Sequence, residues 1–329
     1  MAVVQDGGAP ALGIDLGGTK ILVGVVGADN TILGRAKCAT PAKEGGEAIL
    51  AAMAGVAREA MADARVDAAE LLGIGVGSPG PLDAAAGVIL FSANLNVKEY
   101  PLGFNLSRLL DRPVLLRNDV RVGGYGEFRL GAGRGYQDIL AAFVGTGIGG
   151  CLVMNGEVVA GKTDNAGEIG HIVVKAGGPR CGCGRRGCLE ALASRSAIAR
   201  RVYKAIRKGT PTLLSEHVHS KTSRLKSREL AAAFAAEDPV AVNEVRRAAH
   251  FLGLALGGLA NLIGPEIIIV GGGVVEALGA PYLELIRAAA HSQILVDPDH
   301  LIKIEPAELG DDAGILGAAL MAREYFANR

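Results

Sequence analysis

The chain has 329 residues, of which half are hydrophobic and 21% are charged, and its formal net charge is zero. These values are typical of a globular protein with a large core, and they provide no general attraction to nucleic acid or to an anionic membrane. No run of about 18 apolar residues predicts a membrane span, and the first residues lack the features of a signal peptide. We therefore predict a cytoplasmic protein with neither nucleic acid nor membrane as a partner.

The first half of the chain begins with a β-hairpin built on a glycine turn. Short β-branched runs on both sides of DLGGTK, at 15–20, predict strand, turn and strand. A helix is predicted over 43–65, where apolar side chains recur near one face. Buried strands are predicted in LLGIGVG and in PVLLRND, at 113–119.

The second half repeats this design from residue 138. DILAAFVGTGIGGCLVMNGEVV again predicts strand, glycine turn and strand, followed by an Asn-Gly turn and a third strand. Helices are predicted over 190–208, 227–236 and 238–263, and a strand, three glycines and a helix start over 266–279. A last strand and a closing helix follow. The repeated order predicts an α/β protein with two lobes around a cleft.

The two glycine turns are candidate phosphate-binding sites, because successive backbone N–H groups can surround an anion. DLGGTK is not a P-loop and GTGIGG is not a dinucleotide fingerprint, since a strand rather than a helix follows each. A plain hairpin turn remains the alternative for DLGGTK. Asp15 could hold Mg²⁺ through water. The residues of these turns that we expect at a nucleotide are Asp15, Gly17, Gly18, Thr19, Lys20, Gly145, Thr146 and Gly147.

A third glycine cluster is predicted to lie between a strand and a helix. Gly271, Gly272 and Gly273 would let a flat ligand lie against the backbone, and the following helix start favours anionic groups. We expect the base and ribose of a nucleotide there.

Three cysteines fall within eight positions, at Cys181, Cys183 and Cys188. The tight C-x-C spacing disfavours a disulfide between neighbours, whereas three thiolates and one imidazole make a tetrahedral zinc set. His171 is the nearest histidine, and His217 and His219 are alternatives for the fourth ligand. Unligated thiols are the other interpretation. A full set of protein ligands predicts structural Zn²⁺.

These motifs follow one another in the order seen in ROK-family sugar kinases, which the chain resembles over residues 12–326. The resemblance is carried by DLGGTK, GVGSPGPLD, ND at 118–119, GTGIGG, GEIGH and CGCGRRGCLE. It implies an actin-like (ribonuclease H-like) ATPase fold. The expected smaller lobe comprises 1–121 with 312–329, and the larger lobe comprises 122–311 with the zinc loop and the nucleotide site.

The resemblance also implies an activity: transfer of phosphate from ATP, with Mg²⁺, to the 6-hydroxyl of a hexose, expected to be glucose. It implies that Asp119 is the general base, because a carboxylate within reach can accept the hydroxyl proton. The resemblance also points to His171 as the fourth zinc ligand. The residues implied at the sugar are Gly77, Gly80, Asn118, Asp119, Glu168, His171 and Glu190.

Two departures from the family pattern affect the choice of sugar. Val97 stands where many relatives carry tryptophan, and VRVGGYGE follows Asn118 and Asp119 in place of a run of small residues. Kinases for N-acetylhexosamine or mannose are therefore alternatives. A sugar-responsive repressor of this family is a remote alternative, because such proteins carry an N-terminal DNA-binding domain and only 11 residues precede the first strand here. A third alternative is a non-catalytic protein that binds sugar or nucleotide. We expect a homodimer or homotetramer.

Overall fold

The computed structural model describes residues 8–162, 164–220, 225–296 and 301–327. The chain forms two compact units. Unit 1 comprises Met1–Gly131, Ala160–Ala166 and Asp311–Arg329, and unit 2 comprises Ala132–Val159 and Gly167–Gly310. The lobe boundary expected after residue 121 falls inside a helix that belongs wholly to unit 1. The segment 160–166, which the sequence analysis assigned to the larger lobe, also belongs to unit 1.

Unit 1 contains a five-stranded sheet with the strand order β3-β2-β1-β4-β8. The strands are antiparallel from β3 to β1 and parallel from β1 to β8. A small second sheet has the order β5-β6-β7. The strands are β1 Ala11–Leu16, β2 Lys20–Val26, β3 Ile32–Ala39, β4 Ile74–Ser78, β5 Leu82–Asp83, β6 Val88–Ser92, β7 Val97–Tyr100 and β8 Val114–Asn118. The helices are α1 Gly46–Ala64, α2 Leu102–Leu110, α3 Asp119–Leu130 and α9 Ala313–Ala327.

Unit 2 contains a sheet of the same design, with the strand order β11-β10-β9-β12-β13. Its first three strands are antiparallel and the rest are parallel. The strands are β9 Ile139–Val144, β10 Ile148–Met154, β11 Glu157–Val158, β12 Ile267–Gly271 and β13 Lys303–Pro306. The helices are α4 Leu189–Ala193, α5 Arg195–Arg207, α6 Ser227–Ala235, α7 Pro239–Ile263 and α8 Gly273–His291.

The predicted repetition of the opening hairpin is confirmed. In both units a hairpin with a glycine turn supplies the first two strands, and later strands add in parallel beside the first one. Since parallel strands need long connections, helices occupy the intervals. The buried faces of these strands form one hydrophobic core in each unit.

The helices differ from the prediction in two places. The helix expected over 190–208 is two helices, α4 and α5, because Ser194 between them is extended and its buried hydroxyl accepts the N–H of Ala197 at 3.1 Å. The residues after Asn118, which were not predicted to be helical, form α3. The β5-β6-β7 sheet was not predicted either. In the described part of the chain no helix has the length and apolarity needed to span a membrane.

Candidate active site

The three cysteines and one histidine of the predicted zinc set come together in unit 2. The candidate ligand atoms of His171, Cys181, Cys183 and Cys188 all lie within 4.8 Å of one another. Cys183 Sγ is 3.7 Å from Cys188 Sγ, and Cys181 Sγ is 3.7 Å from Nδ1 of His171. Two thiolates bound tetrahedrally to zinc lie about 3.8 Å apart when each Zn–S bond is about 2.3 Å. The four residues therefore fit a closed zinc site.

The backbone of the cysteine loop is fixed by its own hydrogen bonds. The N–H of Cys181 donates to Arg185 at 2.8 Å, and the N–H of Leu189 donates to Ile172 at 3.0 Å. Gly187 has a positive φ of 79°, and a Cβ there would stand 1.9 Å from the carbonyl oxygen of Lys175. Only glycine fits this point, where the two sides of the loop cross. The loop thus brings Cys188 back beside Cys181 and Cys183.

The thiols of the cluster differ in their acidity. Burial raises the pKa of Cys181 to about 12, and burial likewise raises the pKa of Cys188. The pKa of exposed Cys183 is lowered, chiefly by the backbone N–H of Arg185. A buried thiol with a high pKa binds a metal only when the cation's charge stabilises the thiolate, so metal binding would release protons.

The other candidate ligands lie elsewhere. Nδ1 of His217 is 3.9 Å from a carboxylate oxygen of Glu229, and the cluster of the described residues includes neither His217 nor His219. All five cysteines have free thiols in the structure. Cys151 is buried in β10 and Cys38 packs against the core of unit 1.

Glu190 connects the cysteine cluster to the glycine turn of the same unit. One of its carboxylate oxygens accepts the N–H of Ile148 at 3.1 Å, and the other lies 3.7 Å from Cys181 Sγ. A Cβ on Gly147 would stand 2.2 Å from the first oxygen. Glycine at position 147 therefore leaves the space that this carboxylate occupies. From the sequence, Gly147 was predicted at the nucleotide and Glu190 at the sugar, and no pattern in the sequence indicated their contact.

Glu168 and His171 lie at the two ends of one short turn. Glu168 is exposed, and its carbonyl oxygen accepts the N–H of His171 at 3.0 Å. Since Nδ1 of His171 faces Cys181, the Nε2 atom is on the opposite side of the ring. The short turn thus carries one exposed carboxylate and one imidazole that is fixed by the cluster.

In unit 1, Asn118 and Asp119 mark the change from strand to helix. Asn118 ends β8 and accepts the N–H of Arg121 at 3.1 Å through its side chain, which caps α3. Asp119 was expected at the end of the strand but is the first residue of α3, where the positive helix end favours a carboxylate. A Cβ on Gly77 would stand 3.3 Å from Cα of Asp119. Gly77 therefore lies beside Asp119, whereas Gly80, with φ of 104°, lies against the backbone of Phe91.

The DLGGTK turn of unit 1 has a charged environment. Burial raises the pKa of Asp15 to about 6, although Lys20 lowers it; Asp311 adds to the increase. The Lys20 ammonium donates to Asp311 at 2.9 Å. Gly17 donates its N–H to the carbonyl of Lys20 at 2.9 Å, and Thr19 is exposed. The turn therefore combines an exposed hydroxyl with a lysine and a carboxylate.

The third glycine cluster has the predicted position. Gly271 ends β12, Gly272 has φ of 88° and Gly273 begins α8. The order strand, glycine, helix is the arrangement in which a helix N-terminus faces an anionic ligand.

Comparison with known proteins assigns the chain to a family. Residues 11–325 match the ROK family, and the chain belongs to it. It is 34% identical to a glucokinase of Thermotoga maritima, over 95% of this chain and 97% of the relative. The fold of a ROK hexokinase from Thermus thermophilus superposes with a TM-score of 0.82 at 36% identity, covering 97% of this chain and all of the other.

A second solved relative contains bound ligands. It is a ROK glucokinase from Streptomyces griseus in complex with glucose and AMPPNP, with a TM-score of 0.82, 32% identity and coverage of 96% and 99% of the two chains. Together these relatives make the protein a sugar kinase with the actin-like α/β fold that the sequence predicted. The family is not uniform. An N-acetyl-D-glucosamine kinase of Yersinia pseudotuberculosis is 32% identical over 94% of this chain, and a putative xylose repressor of Caldicellulosiruptor is 28% identical, the chain covering 77% of it.

Proposed function

We propose that the protein transfers the γ-phosphate of ATP to the 6-hydroxyl of glucose, giving glucose 6-phosphate and ADP. The observation that carries the proposal is Glu190, whose carboxylate contacts both the cysteine cluster and the turn that we assign to phosphate. The glucokinase relatives support glucose, and the Streptomyces griseus complex supports ATP as the donor.

In unit 1, Asp119 is the proposed general base. A sugar hydroxyl that attacks phosphorus must lose its proton, and a carboxylate within hydrogen-bond reach accepts it in the transition state. Asn118 would hold a neighbouring hydroxyl while it caps α3. Gly77 lets α3 begin close against β4, which sets the position of Asp119.

In unit 2, Glu168, His171 and Glu190 are the proposed sugar-binding side chains. Zn²⁺ would be held by His171, Cys181, Cys183 and Cys188, and its contribution when bound would be structural. Glu190 accepts one hydrogen bond from Ile148, which fixes one oxygen and directs the carboxylate. His171, held through Nδ1, would present Nε2 to a hydroxyl. Carboxylates and imidazole in fixed positions recognise a defined set of hydroxyl groups.

The nucleotide is assigned to the glycine segments. The 145–147 turn of unit 2 and the DLGGTK turn of unit 1 would contact phosphate through backbone N–H groups and the hydroxyls of Thr146 and Thr19. Gly271, Gly272 and Gly273 would accommodate the base and ribose. Asp15 is the proposed water-mediated ligand of Mg²⁺, which bridges the phosphates in such reactions.

The proposal is tested by following ADP release over a panel of sugars. We expect ATP consumption with glucose and none with 6-deoxyglucose, which lacks the acceptor hydroxyl; ³¹P NMR should identify a 6-phosphate. A product phosphorylated at another hydroxyl, or ADP release that does not depend on sugar, would contradict the proposal.

A preference for another hexose is the second candidate, supported by the N-acetyl-D-glucosamine kinase relative of similar identity. The same panel, with N-acetylglucosamine and mannose included, ranks these sugars by kcat/KM. A higher value for either one would replace glucose and leave the assignment of the reacting groups in place. The cytoplasmic location and the homodimer or homotetramer remain predictions.

A further inference from the structure

Arg195 begins helix α5 directly beside the turn that we assign to phosphate. Its backbone N–H donates to the carbonyl of Gly145 at 3.0 Å, and the hydroxyl of Ser196 donates to the carbonyl of Thr146 at 2.7 Å. The start of α5 is thus fastened to the backbone of the GTGIGG turn. The start of α5 therefore has a fixed position relative to any ligand that binds this turn.

The side chain of Arg195 extends from the turn to a second part of the predicted nucleotide site. Its guanidinium donates to Thr146 Oγ1 at 2.7 Å and to Ser227 Oγ at 3.2 Å. Ser227 begins α6, and its hydroxyl would stand 3.7 Å from a Cβ on Gly273. The guanidinium therefore lies between the phosphate turn and the start of α8, where the ribose and base are expected.

Two of the partners of Arg195 are hydroxyl groups that a phosphate could replace. Both acceptors are neutral, whereas a phosphate oxygen is ionised and the planar guanidinium can donate two parallel hydrogen bonds to a phosphate group. Arg195 is half-buried, which reduces the screening of its charge by water. The helices α5, α6 and α8 also begin here, so their dipoles add to the attraction for an anion.

We propose that Arg195 binds the diphosphate part of the nucleotide, between the ribose held near Gly273 and the transferred phosphate at the 145–147 turn. This inference rests on the proposed function for the nucleotide site, but it adds a residue that the resemblance did not imply. In binding phosphate, the guanidinium would exchange its hydroxyl partners for phosphate oxygens. It would contribute to nucleotide affinity and not to sugar affinity.

The test compares the binding of ADP and of adenosine by calorimetry, because only ADP has the diphosphate. Arg195→Gln should weaken ADP binding about 10- to 100-fold, the loss expected when a charged hydrogen bond is removed, and should change adenosine binding less than about twofold. Arg200→Gln is the matched control, since Arg200 is an exposed arginine on the same helix. It should leave both affinities unchanged.

Each remaining outcome has a defined meaning. If Arg195→Gln weakens ADP and adenosine equally, the residue only supports the fold of the site and the inference is wrong; unchanged ADP binding overturns it as well. If circular dichroism shows that this variant does not fold, Arg195→Lys is used instead, because lysine keeps the positive charge but lacks the planar guanidinium with its paired donors. Arg195→Lys should then weaken ADP binding in part and leave adenosine binding unchanged. Wild-type protein that binds no ADP would instead refute the proposed function. The KM for glucose should stay within about twofold in the arginine variants.

Discussion

The two glycine turns occupy the same place in two sheets of the same strand order, yet their surroundings differ. In unit 1 the turn lies beside Asp15, Lys20 and Asp311, which are charged groups near its ends. In unit 2 the turn receives the carboxylate of Glu190 on one side and the guanidinium of Arg195 on the other. Both of these residues come from helices that follow the cysteine loop.

The repeated sheet thus sets the position of each turn, while the segments outside the repeat set its chemistry. In unit 1 the turn has a partly buried carboxylate suited to a cation. In unit 2 the turn is connected through Glu190 to the cysteine cluster. A change in the unit 2 turn should therefore affect sugar binding, whereas a change in the unit 1 turn should affect the nucleotide alone.

The largest effect is expected at Asp119 in unit 1. Asp119→Asn should reduce kcat by about 10²- to 10⁴-fold while the KM for glucose stays nearly constant, because the amide cannot accept the proton. Steady-state kinetics at saturating substrates measures this. Asp111→Asn, at an exposed residue of the same unit with φ of 50°, is the matched control and should be silent. More than half of the wild-type kcat in Asp119→Asn would refute the assignment.

The next effect is expected at the cysteine cluster. Zinc should copurify at about one ion per chain, and Cys183→Ser should lower its affinity more than the roughly 10- to 100-fold typical of outer-sphere partners, since a hydroxyl is a poor substitute for a thiolate. Elemental analysis after gel filtration measures the metal. His217→Ala should retain it. A metal-free wild-type enzyme with full activity would refute the proposed role of zinc.

A pair of glycine variants compares the two turns directly. Gly147→Ala should raise the KM for glucose about tenfold or more, because the new Cβ would stand 2.2 Å from the Glu190 carboxylate and displace it. A Cβ on Gly18 would stand 3.2 Å from Cβ and 3.5 Å from the carbonyl oxygen of Asn94 and would not approach Glu190. Gly18→Ala should therefore raise the KM for ATP and leave that for glucose unchanged. Equal effects of both variants on glucose would mean that the turns do not differ in the way described.

The smallest effect concerns stability and Asp15. Burial raises the folded-state pKa of Asp15 from the ordinary 3.8 to about 6. Its contribution to the free energy of unfolding is therefore fully favourable below about pH 4, where the carboxyl is protonated, and is lost as the pH rises through about 6. Asp15→Asn should therefore stabilise the protein by about 1–3 kcal/mol at pH 8 and hardly at all at pH 4. Denaturant unfolding with EDTA present measures this. Equal effects at both pH values would contradict the burial argument.

Much of the fold could be predicted from local patterns. The β-branched runs beside each glycine turn correctly predicted both hairpins, and the three glycines before α8 correctly predicted the end of a strand and the start of a helix. The break at Ser194 was missed because one buried serine that caps α5 does not interrupt an apolar helical pattern. The α3 helix was missed because its glycines obscure the pattern.

The candidate site was only partly predictable. Cysteine spacing indicated the cluster, because the ligands of a loop lie close together in sequence. The contact of Glu190 with Gly147 and Ile148 joins residues more than 40 positions apart, and the contacts of Arg195 with Thr146 and Ser227 are also long-range. A single charged residue at a helix start has no spacing to recognise. Such partners are found only when the fold brings them together.

The most direct test of the account is glucose binding after removal of zinc. The protein is dialysed at length against a strong chelator, its metal content is measured, and glucose and ADP are titrated separately by calorimetry. The account predicts that metal-free protein binds glucose at least about tenfold more weakly, that ADP affinity changes less than about twofold, and that added zinc, but not Mg²⁺, restores glucose binding. Metal-free protein that binds glucose with unchanged affinity would contradict the claim that the cysteine cluster positions the sugar-binding side chains.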